Sequence, residues 1–149
     1  MEAEVYPEPR VTEFVSKNFI PVRLHVKKHP EAMGRFGADW TPTVMLLDPN
    51  GQERHRIEGF LPADDFLAQL ELGLGHLYFK TGRFAESEKQ FRDVVDKLPN
   101  TTSAAEAQYW AGVSKYKGGG DASALTATAA AFKQRYADTD WAKKASIWG

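Results

Sequence analysis

The chain has no cysteine among its 149 residues. That excludes disulfides, thiolate nucleophiles and cysteine-based metal sites within these residues. It carries no charge excess, with a formal net charge of −1 at pH 7, so nothing favours nucleic acid or an anionic membrane as a partner. No apolar run approaches the length of a membrane span, and the opening Met1-Glu2-Ala3-Glu4-Val5 is acidic, unlike a secretory signal. His-Glu-x-x-His, Gly-x-Ser-x-Gly and a Gly-rich phosphate loop are also missing. The sequence therefore calls for no cofactor, no metal and no membrane insertion. As it stands the chain is expected in the cytoplasm, or in the periplasm or envelope if a signal precedes it.

What is present is an ordinary globular composition, 42% hydrophobic and 26% charged, enough for one domain or two small ones. Val11, Phe14, Val15 and Phe19 are spaced as the stripe of a short helix. Ile20, Val22, Leu24 and Val26 alternate with Pro21, Arg23 and His25, which predicts a strand over Ile20–Val26. His29-Pro30-Glu31 opens a short helix through Phe36, stopped by Gly37. Thr43–Leu47 reads as a buried strand. Pro49-Asn50-Gly51 is a turn signal, and Gln52–Gly59 is a polar edge strand. Pro62 and the acids Asp64 and Asp65 mark a helix start. That helix is expected to run toward Phe79, with Phe66, Leu67 and Leu70 covering the sheet and Leu74, Leu77 and Tyr78 packing against the more C-terminal helices.

From Phe66 to Trp148 nothing reads as strand. Leu74-Gly75, Tyr78, Gly82, Ser87, Phe91, Val94 and Pro99 form one weak repeat. Ala111-Gly112, Tyr116, Gly118-Gly119-Gly120, Phe132 and Tyr136 form a second, and Ala107 and Trp110 recur 38 residues later as Ala145 and Trp148. Small residues would let helices approach, and the aromatics would fill the next gap.

In order and spacing, Met1-Glu2, Glu4-Val5-Tyr6, Pro9-x-Val11, Phe14-Val15, Asn18-Phe19-Ile20-Pro21-Val22, Trp40-Thr41-Pro42-Thr43 and Asp48-x-x-Gly51 resemble the distal part of a thioredoxin-like domain. Residues 71–149 are similar to tetratricopeptide repeats, of the kind found in bacterial envelope-assembly proteins. The resemblance implies an α/β fold: a partial thioredoxin-like unit over 1–70, a short sheet with a hairpin, then a tetratricopeptide-like α-helical region over 71–149. It implies a cis-proline at Thr41-Pro42 and places Met1 just after the position of the family's Cys-x-x-Cys, so that the family's central strand has no counterpart. Three explanations stay open: a fragment or misassigned start, a strand donated by a partner, or three remaining strands that close up directly.

Two functions lead, with a structural subunit that completes its sheet only within a larger complex as a third. One is a non-catalytic protein-interaction or scaffold subunit. The other is a thiol–disulfide oxidoreductase whose dithiol lies upstream of Met1. Either way the expected partner is a protein or peptide. Trp40, Thr41 and Pro42 would form its contact loop, and Tyr109, Lys115, Trp141 and Trp148 a second partner surface, with Arg135 a further candidate. His25, His29, His55 and His76 do not cluster in sequence, and Asp64-Asp65 is explained by a helix start.

Overall fold

A two-stranded antiparallel sheet and seven α-helices make up the computed structural model, which describes residues 1–149. Helix α1 (Pro9–Asn18) begins on a proline whose missing N–H costs nothing there. The Glu8 carboxylate caps it, accepting from the Arg10 and Val11 amides at 3.0 and 3.2 Å. Helix α2 (Pro30–Phe36) ends at Gly37, whose φ of 60° is left-handed. Strands β1 (Thr43–Leu47) and β2 (Glu53–Glu58) form the hairpin that Pro49-Asn50-Gly51 signals. Its turn is organised by Asp48, which accepts from the Asn50 and Gln52 amides at 2.9 Å and from Arg54. These bonds hold the Asp48 carboxyl below its ordinary range, the Gln52 amide first.

The expected strand over Ile20–Val26 does not form. The sheet contains β1 and β2 alone, and the Ile20–Leu24 backbone makes no hydrogen bond to other backbone groups. Direct closure of three strands is therefore not the arrangement adopted. Alternation reports which side chains share a face; only a neighbouring strand can satisfy the ladder. Without one, Ile20 and Val22 are 93% and 78% exposed.

Helix α3 (Ala63–Lys80) runs unbroken across residue 70 and is shared by the sheet and the helical region. Phe66, Leu67 and Leu70 are buried in one core with Val5, Val11, Leu46 and Ile57. Helices α4 (Phe84–Lys97), α5 (Ala104–Gly119), α6 (Ser123–Gln134) and α7 (Asp140–Ala145) come next, closed by a 3₁₀ turn over Ser146–Trp148. The triple glycine is mostly helical: Gly118 and Gly119 finish α5, and Gly120 at φ 73° ends it.

Glycine inside a helix costs about 1 kcal/mol relative to alanine, and here close approach explains it. A Cβ at Gly75 would lie 2.7 Å from Phe91 of α4, and one at Gly112 only 1.9 Å from Thr128 Oγ1 of α6. Between α3, α4 and α5, the buried Ser87 hydroxyl lies 2.9 Å from the Gly75 carbonyl and 3.0 Å from Ser114 Oγ. The start of α5 is tied to α3 where Asp65 accepts from the Thr102 amide at 3.1 Å and Gln69 donates to Ser103 Oγ at 2.9 Å.

Candidate functional site

The loop before β1 is held at both ends. Thr43 Oγ1 donates to the Trp40 carbonyl at 2.7 Å, and the Gly59 amide donates to the Pro42 carbonyl at 2.8 Å. The Thr41–Pro42 peptide bond is cis, and Trp40 stands 67% exposed beside it. Trp40, Thr41 and Pro42 thus lie together at the entrance to β1.

The same bonds reveal what β1 leaves open. Gly59 to Pro42 is a hydrogen-bonded pair, and the register pairs Val44 with Ile57 and Leu46 with His55. An antiparallel ladder alternates, so Pro42, Val44 and Leu46 face β2 while the N–H and C=O groups of Thr43 and Met45 point away from it. No other strand pairs there. The two faces of the hairpin make different contacts. On one, Gly73 of α3 meets Leu46 and His55; on the other, the Arg56 guanidinium donates to the Phe36 and Gly37 carbonyls at the end of α2. No further strand pairs with either edge of the hairpin, and on β1 the outward groups are those of Thr43 and Met45.

The second set of residues divides. Tyr109 stacks on Trp148 with ring centroids 4.9 Å apart and meets Trp141 at 5.4 Å, around buried Ala105, Phe132 and Ala145. These three aromatics hold α7 and the terminal turn against α5. Lys144 lies over the Trp141 ring at 4.0 Å. Lys115 is not with them; it lines an open groove of about 550 Å³ with Arg83, Phe84 and Glu86. Arg135 lies over the Tyr136 ring at the end of α6.

Two histidines that are distant in sequence meet. His55 of β2 and His76 of α3 stack at 5.9 Å, with His55 Nε2 2.7 Å from Gln69 Oε1 and His76 Nε2 3.5 Å from Glu106 Oε1. Gln69 accepts at that oxygen, so His55 donates from Nε2. Burial lowers the His55 pKa below 6.5 and the neighbouring His76 adds to it, against the Gln69 bond. His25 and His29 are exposed; the His29 amide donates to the His25 carbonyl at 2.8 Å, and His29 Nδ1 lies 3.6 Å from Glu31. No group of three or more His, Asp or Glu side chains is arranged to hold a metal ion. Another group without a sequence signal is Glu71, buried on α3 with no hydrogen-bond partner for Oε2.

Residues 1–73 match the family model of the thioredoxin-like domain. The N-terminal part of the chain is thus a thioredoxin-like domain, and a helical region succeeds it. No curated protein and no solved structure shows a significant match. No helix is long and apolar enough to cross a membrane.

Proposed function

We propose that this chain is a non-catalytic protein-interaction subunit that takes an extended peptide along the uncovered edge of β1. The observation that carries this reading is the outward N–H and C=O of Thr43 and Met45, which no strand pairs. An added strand satisfies those groups and gains main-chain bonds along its length. Trp40, exposed at the entrance, supplies an aromatic anchor, and Thr41 and Pro42 shape the approach. Lacking cysteine, these residues supply no dithiol. The oxidoreductase alternative therefore needs a dithiol from outside them. The helical pairs, with their small-residue contacts at Gly75 and Gly112, support a tetratricopeptide-like reading of residues 71–149. In that reading Tyr109, Trp141 and Trp148 close the array, and Lys115 marks a separate surface.

The test is a random seven-residue peptide library displayed on phage and selected against the full chain. Met45→Pro removes an outward N–H and leaves the β2-facing bonds of Val44 and Leu46 in place. Selected peptides should protect the Thr43 and Met45 amides from exchange and bind Met45→Pro at least about tenfold more weakly, the loss of roughly one well-formed bond. Equal binding to that variant, with its circular dichroism unchanged, would overturn the assignment.

A further inference from the structure

Helix α3 is the one element that both the sheet and the helical pairs use, and its middle carries an acid where an apolar residue would pack. Glu71 is only 8% exposed, and its Oε2 has no donor. The charged groups that act on it all come from α4: Asp93, Lys97 and Lys89. Those lysines are already engaged, because Asp93 holds Lys89 at 3.1 Å and Lys97 at 3.7 Å. On the other elements packed against α3, charged and titratable groups have partners of their own. Arg10 of α1 bonds Asp64, His55 of β2 bonds Gln69, and Glu106 of α5 faces His76. Glu71 therefore has no counter-ion of its own in the closed structure.

We infer that the α3–α4 contact is a proton-operated latch, closed while Glu71 is protonated and loosened when it ionises. With both α4 lysines held by Asp93, an ionised Glu71 finds a donor for its buried Oε2 only by admitting water between α3 and α4, which loosens the contact. Burial foremost, and then the Asp93 charge, push the Glu71 carboxyl from 4.5 up to about 7, with Lys97 and Lys89 opposing. The closed form thus binds one proton more than the open form between these two values. Stability of the contact is full below 4.5, is lost as pH rises toward 7, and changes no further above it. On the opposite side of α3 the hairpin does not share this dependence, since no charged group of β1 or β2 acts on Glu71.

Native-state amide exchange of the full chain, corrected for intrinsic rates, tests this between pH 5 and 8.5. In the wild type, α4 protection should fall by up to about tenfold per pH unit to near pH 7 and then level off. The β1 and β2 amides should not track it. Glu71→Gln should abolish that fall. Asp93→Asn removes the repulsion and frees both lysines, so it should move the fall to lower pH. This second variant keeps the test open if the first does not fold. Parallel profiles for wild type and both variants, or a fall spread uniformly over the chain, would overturn the latch.

Discussion

Gly112 offers the sharpest test of how the helical region is packed. A Cβ there would stand 1.9 Å from Thr128 Oγ1, 2.8 Å from its Cβ and 2.9 Å from its Cγ2. These are positions that atoms do not share, so α5 and α6 must separate or Thr128 must turn. Thr128 is buried and its hydroxyl donates to the Ala124 carbonyl at 2.7 Å. Turning it gives up a bond worth about 1 kcal/mol. Overpacking of this kind costs about 1–3 kcal/mol, while alanine returns about 1 kcal/mol of helix propensity over glycine. Gly112→Ala should therefore destabilise by about 2 kcal/mol, near 4–8 °C in Tm for a chain of this size. Urea unfolding monitored by circular dichroism reads this directly. Gly119→Ala is the control: it lies in the same helix with nothing within 4 Å and should be neutral or stabilising. Thr128→Ala added to Gly112→Ala should recover about half the loss, as coupled neighbours do. If Gly112→Ala proves as stable as Gly119→Ala, the close α5–α6 approach is wrong.

His55 and the terminal aromatics give two further tests. The folded pKa of His55 lies below 6.5, so its neutral form supports the fold above 6.5 and that support is lost as pH falls below it. Relative to His55→Phe, the wild type should lose Tm only on the acid side; a difference independent of pH would refute burial as the cause. Tyr109→Ala removes the ring between Trp141 and Trp148 and should cost about 2–3 kcal/mol. Tryptophan emission should shift to the red and cleavage after Lys143 or Lys144 should speed up, whereas unchanged emission would show that the terminal turn is held otherwise.

Much of the fold could be read from the chain because its signals are local. Pro62 with Asp64 and Asp65 begins α3, and the apolar spacing carries it past residue 70 to Lys80. Pro49-Asn50-Gly51 sets the hairpin, and the observed β2, Glu53–Glu58, falls inside the expected Gln52–Gly59. The Ile20–Val26 strand failed for a physical reason. Its alternation is a property of the segment, but a strand is a property of a pair. The site was legible only in part. Trp40-Thr41-Pro42 marks the loop, but which β1 groups face outward depends on register. The pairing of His55 with His76 and the burial of Glu71 have no sequence signal, since a lone histidine or a helical glutamate ordinarily faces water.

Which segments are helical, where the hairpin turns and the lack of thiol chemistry in these residues were all readable along the chain. They were so because backbone propensity, turn residues and side-chain inventory act over a few positions. The unpaired edge of β1, the lack of a strand partner for Ile20–Leu24 and the burial of Glu71 Oε2 without a donor emerge only once the chain is folded. Those outcomes depend on which distant residues arrive together and on what water is excluded. Neither is written at any single place in the chain.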